Sequence, residues 1–275
     1  MKIKIITDST SYLDKNYIED ENIRVVPLNY VFDGEDYKEG LKGEFNDFYS
    51  KLQSTDLFPT TSQPAIGDFV AAYEEALKSH DQIVVITLSS KISGTYGSAH
   101  MAAEMVDSEN IRVVDSLGAA ATLRFLVQDA VEMSRKGMDA HRIQEELERK
   151  KDKLGIVLTT DTLEYLSRGG RLSTLQAGIG NILSIKPVIR MLDGELQLVE
   201  KTRGKKKAIN RLLAYIPEGV DRISLCHVTN TGEAEKLADT LRQTYPGASV
   251  TIDELGPVIG AHLGPKTLGI CYSYS

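Results

Sequence analysis

Hydroxyl side chains cluster in two short segments of the sequence that each lead into a predicted helix. The segment TTSQP places Thr61 and Ser62 just before a helix that starts near its proline. The segment SSKISGT leaves a predicted strand and places Ser93 and Gly94 at the start of the next helix. A helix start attracts anions, and glycine lets a ligand approach the backbone closely. If the two starts converge, they suit a carboxylate, although helix capping alone would also explain these hydroxyls.

A histidine lies in an apolar, glycine-rich segment near the C-terminal end. His262 stands within GPVIGAHLGP, where it has little packing role of its own, although a satisfied structural histidine is the alternative. With Ser93 and Asp8 it could form a Ser–His–Asp set, because such sets are recognised by geometry, which a sequence does not give. A small-molecule hydrolase or phosphotransferase using Ser93 and His262 is therefore an alternative to a binding protein.

Two groups of basic residues could face anions. Arg168 and Arg171 flank a glycine pair in SRGGRLS, where they could bind an anion or orient a carboxylate, unless the segment is only a solvated loop. Arg203, Lys205 and Lys206 belong to a basic cluster that reverses the local sign of a chain with net charge −7. This cluster could dock an acidic or nucleotide-carrying partner, or it could be a solvated helix start.

The composition limits the classes of function. The 275 residues, 41% hydrophobic and 26% charged, suit a globular protein with a sizeable core, and the negative net charge argues against nucleic acid as a partner. Cys226 and Cys271 form no CxxC motif, so we expect buried thiols, no metal or other cofactor, and a reduced cytoplasmic setting. We find no signal-peptide layout and no apolar run of about 18 residues, so we expect no membrane insertion, and we take a monomer as the default.

Hydrophobic periodicity predicts an α/β fold in the first half of the chain. Strands are predicted at residues 3–6, 83–87, 111–114 and 156–158, and helices at residues 66–79, 95–106, 119–136 and 140–150. This alternation predicts a mostly parallel sheet with helices on both faces. Because parallel strands end at one edge of a sheet, the polar residues that follow them, including Asp8 and Ser9, should line one crevice where ligands bind.

The second half of the chain predicts a mixed α/β domain. An Asp-Gly turn joins two strands, and strands and helices follow in alternation. The predicted strands are residues 187–191, 197–201, 223–228, 250–255 and 269–272, with helices at residues 205–216 and 233–244. We place the boundary near residue 160, which gives domains of residues 1–160 and 161–275. The apolar segment 175–189 could form a helix that walls an elongated cavity, with core packing as the alternative.

Taken together and in order, these segments resemble the DegV family, also known as FakB-type fatty-acid-binding proteins, over essentially the whole chain. The matching motifs are TDS (7–9), FPTTSQP (58–64), LSS (88–90), SGTY (93–96), DS (115–116), LSRGGRL (166–172), KP (186–187) and GAHLGP (260–265). The sequence departs from the family pattern at Lys266, where glycine is common, and at Ala65, where serine or threonine is frequent.

The resemblance implies a two-domain α/β protein that holds one long-chain fatty acid between its domains and is not an enzyme by itself. It implies a carboxylate held by Thr61 or Ser62, by Ser93 and the Gly94 backbone, and through a network that includes His262 and an arginine. Burying each methylene contributes about 0.8 kcal/mol, so a tail of about 16 carbons gains on the order of 10 kcal/mol before binding costs. Affinity can therefore come from the tail, while the head group sets orientation.

The resemblance also implies a partner and a supporting network. In the family, a separate ATP-dependent fatty acid kinase phosphorylates the bound carboxylate to an acyl phosphate, a step that serves phospholipid synthesis. The region that begins at Arg203 and includes Lys205 and Lys206 matches the segment expected to meet that kinase. The residues that we expect to support the carboxylate site are Asp8, Ser9, Arg168 and Arg171.

Overall fold

The computed structural model describes residues 1–55, 57–171 and 185–274. In these ranges the strands are β1 (Ile3–Asp8), β2 (Arg24–Val26), β3 (Asn29–Phe32), β4 (Glu35–Lys38), β5 (Thr60–Ser62), β6 (Gln82–Thr87), β7 (Ile111–Asp115), β8 (Leu154–Thr159), β9 (Lys186–Leu192), β10 (Glu195–Thr202), β11 (Val220–His227), β12 (Ser249–Glu254) and β13 (Leu268–Tyr274). The helices are α1 (Lys15–Asp20), α2 (Asn46–Ser54), α3 (Ile66–Leu77), α4 (Thr95–Val106), α5 (Ala121–Arg135), α6 (Ala140–Lys150), α7 (Glu164–Arg168), α8 (Lys205–Ala214), α9 (Thr231–Thr244) and α10 (Pro257–Leu263).

The first large sheet is parallel throughout and has the strand order β2-β1-β6-β7. Helices α3 and α4 cover one face, where Phe69 and Tyr73 are fully buried. Helices α5 and α6 cover the other face through residues such as Leu123 and Ile143. The predicted parallel sheet with helices on both faces is therefore confirmed. It could be predicted because strands that are buried on both faces are apolar throughout, which makes them easy to recognise in a sequence.

The second large sheet is mixed and has the order β10-β9-β8-β13-β11-β12. The predicted hairpin of β9 and β10 is confirmed, with Asp193 and Gly194 at φ 51° and 81°, the two positive values that a tight Asp-Gly turn requires. Helices α8 and α9 cover one face around Leu212 and Leu237. The opposite face packs toward the first sheet and carries Ile156 and Leu158 in a separate apolar cluster.

Strand β8 corrects the sequence interpretation. We predicted it as the fourth strand of the parallel sheet, but it pairs antiparallel with β9 and β13 in the mixed sheet. Periodicity shows that a strand is buried on both faces but not which sheet contains it. The carboxyl ends of β1, β6 and β7 therefore meet at one edge of the parallel sheet, as expected. The end of β8 does not lie at this edge, because β8 belongs to the other sheet. The domain boundary near residue 160 stays a prediction.

Several elements escaped prediction because they are short or polar. A small antiparallel sheet, β4-β3-β5, carries Thr61 and Ser62 on a strand, and α3 begins after them, with Asp68 accepting a hydrogen bond of 3.0 Å from the Ala65 N–H. The GPVIGAHLGP segment contains α10, and Lys266 beyond it adopts φ 63°, a conformation that favours glycine. The predicted helix at 175–189 lies outside the described residues up to 184, and residues 186–189 belong to β9.

A buried ion pair joins the first half of the chain to the second. Arg124 on α5 meets Asp253 on β12 through two hydrogen bonds of 2.7 and 2.5 Å, and Lys42 reaches the same carboxylate at 2.7 Å. Their side chains are 6% exposed for Arg124 and 2% for Asp253. Burial alone would raise the pKa of Asp253, but Arg124 and Lys42 hold it well below its usual range.

Candidate ligand-binding site

An apolar cavity of about 340 Å³ lies between the two large sheets. Residues after β6 and β7, such as Leu88 and Ala119, form one wall, Ile156 and Leu158 on β8 form the facing wall, and α10 adds Val258. Binding sites for small molecules typically have this size and this mostly apolar lining, with a few polar groups that fix orientation. The interior thus has room for an apolar ligand at the expected place between the two halves.

Strand register gives the cavity a direction. Ile156 is paired with Met191 on one side and Cys271 on the other, and two residues further along β8, Leu158 is paired with Gly269. All five residues line the cavity, so these two rows lie on one face of the sheet, separated by about 6.7 Å. The cavity therefore extends along β8.

The polar end lies beyond the Leu158 row. The cavity residue Thr267 precedes β13, and its hydroxyl donates to the carbonyls of Leu263 and Gly264 at the end of α10. His262 stands one residue before Leu263, so it joins the cavity at the carboxyl end of β8. The row of Met191 and Ile156 forms the opposite, apolar end.

The structure brings all five predicted carboxylate-binding residues to the cavity lining: Thr61, Ser62, Ser93, Gly94 and His262. Thr61 Oγ1 lies 2.7 Å from His262 Nε2, across 201 positions of sequence. Ser62 and Gly94 are exposed, whereas Thr61, Ser93 and His262 are half-buried. This polar end of the cavity is therefore also its opening to solvent.

Contacts between these residues close into a ring, which we call the mouth ring. Thr61 contacts His262, whose Nδ1 lies against Gly169, and the Gly169 carbonyl accepts from Arg171 at 2.7 Å. Arg171 Nε donates to the Ile92 carbonyl at 3.3 Å, one residue before Ser93. The mouth ring comprises Thr61, Ser62, Gln63, Ser93, Gly94, Gly169, Arg171 and His262.

Gln63 completes the mouth ring and was not assigned a role from the sequence. A Cβ atom added to Gly94 would lie 1.9 Å from Gln63 Oε1, so the side-chain amide occupies the space that a side chain at Gly94 would need. Gln63 Nε2 also donates to Ser98 Oγ at 3.1 Å. The glycine in the SGT motif thus makes room for the glutamine of the SQP motif, a pairing that neither motif reveals alone.

His262 is held neutral at pH 7. Burial lowers its pKa to about 4, and the positive charge of Arg171 acts in the same direction. Among the described residues, Nδ1 has no hydrogen-bond partner, and it lies against Gly169, where an added Cβ would approach within 2.1 Å. The first glycine of the SRGG motif therefore makes space for the imidazole ring.

The two predicted arginines separate in the structure. Arg171 lines the cavity and belongs to the mouth ring. Arg168 is outside the cavity lining, pairs with Glu164 at 2.6 Å and lies 3.8 Å above the Phe58 ring. The sequence could not show which arginine reaches the cavity, because both are adjacent to the glycine pair. In the structure α7 ends at Arg168, so Arg171 lies beyond the helix on a segment with a different direction.

Asp8 supports the cavity from behind its wall. Its carboxylate is fully buried and accepts from the Leu88 N–H at 2.7 Å and from the Thr10 N–H and hydroxyl at 2.9 and 2.6 Å. Burial raises its pKa to about 6, against the opposing effect of these hydrogen bonds. Since Leu88 lines the cavity and Asp8 does not, Asp8 fixes the wall and does not contact the interior.

Ser9 contacts the buried carboxylate of Glu39, a residue to which the sequence analysis gave no role. Its hydroxyl donates to Glu39 at 2.6 Å, and the other oxygen of Glu39 accepts from the Val258 N–H at 2.8 Å and from the Tyr12 hydroxyl at 3.3 Å. Burial raises the pKa of Glu39 to about 7, although these donors oppose the shift. Val258 lies in the first turn of α10, so Glu39 anchors the helix that carries His262.

The hydrogen bonds do not assemble the Ser–His–Asp set considered above. Ser93 Oγ bonds to Thr95 Oγ1 at 2.9 Å, His262 bonds to Thr61, and Asp8 bonds to Thr10 and Leu88. The described ranges contain no group of three or more His, Cys, Asp or Glu that could hold a metal ion. None of their helices has the length and hydrophobicity needed to cross a bilayer.

Basic residues surround the start of α8. Arg203 and Lys206 are exposed, and Lys205 is half-buried and forms an ion pair with Glu233 on α9. Lys205 is therefore partly neutralised, which leaves Arg203 and Lys206 as the more available charges for a partner.

The fold and the site define an α/β protein with an apolar cavity between its sheets that opens to solvent at a hydroxyl-rich mouth. The family model described as an uncharacterised protein of the DegV family matches residues 2–275, and the chain belongs to this family, as its motifs indicated. Protein DegV of Bacillus subtilis (strain 168) is 37% identical over 280 residues, which is 100% of both chains.

Solved structures agree with this assignment. The crystal structure of DegV from Bacillus subtilis, described as a fatty acid binding protein, matches with a TM-score of 0.92 and 38% identity over 100% of both chains. A DegV family protein from Thermus thermophilus, described by its fatty acid binding, matches with a TM-score of 0.90 and 31% identity over 100% of both chains.

Proposed function

We propose that this protein binds one long-chain fatty acid, with the tail in the apolar cavity and the carboxylate at the mouth ring. The observation that carries the proposal is the cavity itself, which is apolar along β8 and ends in hydroxyl groups and a histidine. The fatty acids bound by related DegV proteins support it.

The carboxylate would meet neutral donors. The His262 tautomer with the proton on Nε2 donates to Thr61 Oγ1, and the Thr61 hydroxyl is then free to donate to a carboxylate oxygen. The Ser93 hydroxyl at the start of α4 supplies a second donor next to the Gly94 backbone. These neutral donors hold the head group in position, while the Arg171 guanidinium of the mouth ring donates to the backbone carbonyls of Ile92 and Gly169. The carboxylate is then held without a direct ion pair, which leaves it reactive.

The direct test is chemical analysis of the purified protein. Mass spectrometry of an organic extract should find fatty acid in roughly equal molar amount to protein, and protein stripped of lipid should bind an added fatty acid more tightly than its methyl ester. The ester matches the acid in tail but lacks the charged head. An empty extract, together with no uptake of added acid, would overturn the proposal.

Removing one hydroxyl from the mouth ring should weaken binding without unfolding the protein. We expect Thr61→Ala and Ser93→Ala each to cost about 1–3 kcal/mol of fatty-acid binding, because a charged acceptor held between half-buried side chains loses a donor. Titration calorimetry measures the effect. Thr61→Ser and Ser93→Thr keep the hydroxyl and should bind nearly as wild type does, and equal affinity of the alanine variants would contradict the assignment.

The second part of the proposal is that a separate ATP-dependent fatty acid kinase phosphorylates the bound carboxylate, for use in cytoplasmic phospholipid synthesis. Exposure of Ser62 and Gly94 supports access to the head group from solvent. The basic surface at Arg203 and Lys206 could attract an acidic face of such a partner.

We expect Arg203→Ala to slow acyl-phosphate formation by the kinase while the fatty acid stays bound. The reason is that removal of an exposed charge reduces association with the partner but leaves the cavity intact. Phosphorylation rate and lipid content, measured on the same preparation, separate the two effects. Arg24→Ala removes the same charge from an exposed position on β2 and should change neither, whereas loss of ligand from Arg203→Ala would show that its role is misplaced.

A further inference from the structure

A second, smaller cavity of about 30 Å³ lies next to the large one. The two cavities share Ile156 and Met191 in their linings, so these side chains form the wall between them. The small cavity is also lined by Leu154 and Gly155, which precede Ile156 on β8. Since the mouth ring lies at the opposite end of β8, the small cavity continues the large one in the direction away from the mouth.

We infer that Met191 ends the tail compartment and thereby sets the length of alkyl chain that the protein accepts. This inference rests on the proposed function, since it assigns the far end of the same cavity. Met191 is paired with Ile156 across β9 and β8, and the two form the last row that a tail entering from the mouth would meet.

Of these two wall residues, Met191 is the one that can move. Ile156 is β-branched, buried at 8% exposure and held on a central strand between β9 and β13, so its side chain has little freedom. Met191 is half-buried and unbranched, and it can change rotamer to fill or vacate an irregular space. A change at position 191 therefore alters the end of the compartment with the least disturbance of the sheet.

The small cavity has polar lining groups beside the apolar side chains of Leu154, Ile156 and Met191, but these polar groups already have partners, so an alkyl end at the apolar side does not compete with them. Ser116 Oγ donates to the Gly118 carbonyl at 3.2 Å, and Thr122 Oγ1 donates to the Ala119 carbonyl at 2.9 Å. Lys151 forms an ion pair with Glu148. None of the three side chains needs a ligand to satisfy a buried donor, so a terminal methyl group would not leave them unpaired.

The test is a comparison of saturated fatty acids of increasing length against wild type and Met191→Ala. The substitution removes Cγ, Sδ and Cε, so we expect the length of tightest binding to increase by about two carbons, with each further buried methylene raising affinity about fourfold. Leu158→Ala is the matched control, because it enlarges the same cavity two residues nearer the mouth without touching the small cavity. It should weaken binding at all lengths and leave the optimum unchanged.

A second variant keeps the test decisive if Met191→Ala fails to fold. Met191→Phe should move the optimum to shorter acids, opposite in sign to the alanine variant. An unchanged optimum in either folded variant, or an equal shift in Leu158→Ala, would overturn the inference while leaving fatty-acid binding intact. Failure of wild type to bind any fatty acid would instead refute the proposed function.

Discussion

Asp253→Ala should lower the free energy of unfolding by about 3–5 kcal/mol, the usual cost of removing one partner from a buried ion pair. The variant removes the two hydrogen bonds that the buried guanidinium of Arg124 donates to this carboxylate, and it deprives Lys42 of the same buried partner. Since Arg124 lies on α5 and Asp253 on β12, the loss falls on the contact between the two halves. Urea denaturation followed by circular dichroism measures the change.

Two further variants serve as controls for the change in the free energy of unfolding that we expect for Asp253→Ala. Glu75→Ala breaks an ion pair with Lys78 in which the side chains are 75% and 70% exposed, and it should change the free energy of unfolding little. Replacing both buried partners, in Arg124→Met with Asp253→Leu, should recover much of the loss because no buried unpaired charge remains and Lys42 keeps its ion pair with Asp14. If Asp253→Ala costs no more than Glu75→Ala, the buried pair does not stabilise the contact between the halves.

The second large effect concerns Glu39 and pH. Relative to Glu39→Gln, wild type should lose about 3 kcal/mol of stability as pH rises from 4.5 to about 7. Burial raises the folded-state pKa of this carboxyl, so the folded protein holds a proton that the unfolded chain releases in this window. Below this window Glu39 is protonated in both the folded and the unfolded state, so its contribution to stability no longer changes with pH. Above it, the folded state must hold a buried charge.

Denaturation curves for both proteins across this range test the prediction. Asp8 and His262 titrate in both proteins, so the difference between the two curves reports the ionisation of Glu39 together with its electrostatic coupling to Asp8. Glutamine keeps the shape of the side chain, and its amide oxygen can still accept from Val258. A difference that is flat with pH, or one that grows in favour of wild type, would show that Glu39 is ionised in the folded protein at lower pH than its burial implies.

Local patterns were enough to predict most regular elements of this fold. Helices α4 and α6 begin and end at the predicted residues, because their apolar spacing and flanking turns are local properties of the chain. The sheet to which β8 belongs was not predictable in this way, since strand partners are distant in sequence. Short polar elements such as β4, exposed along its length, give no periodic signal at all.

The residues of the mouth ring could also be predicted only in part, because local motifs identify single residues but not which distant residues they contact. Thr61 and Ser93 were identified from hydroxyls beside helix starts, but their convergence with His262 required the family resemblance, since 201 positions separate Thr61 from His262. Gln63 lay inside a noticed motif without an assigned role. Glu39 could not have been found, because it stands in the polar segment EDYKEG and its burial depends on contacts with Ser9, Tyr12 and α10 that are distant in sequence.

The position of β13 in the second sheet has a consequence for biosynthesis. β13 is the last described strand, yet it lies between β8 and β11, so the meander β8-β9-β10 and the pair β11-β12 remain unconnected until it inserts. Domains of a nascent chain generally fold from the N-terminus as they emerge from the ribosome. Gly269 and Cys271 on β13 also form part of the cavity wall. The wall of the cavity is therefore complete only after β13 has inserted between β8 and β11, so a ligand that fills the space between the sheets must enter after this step.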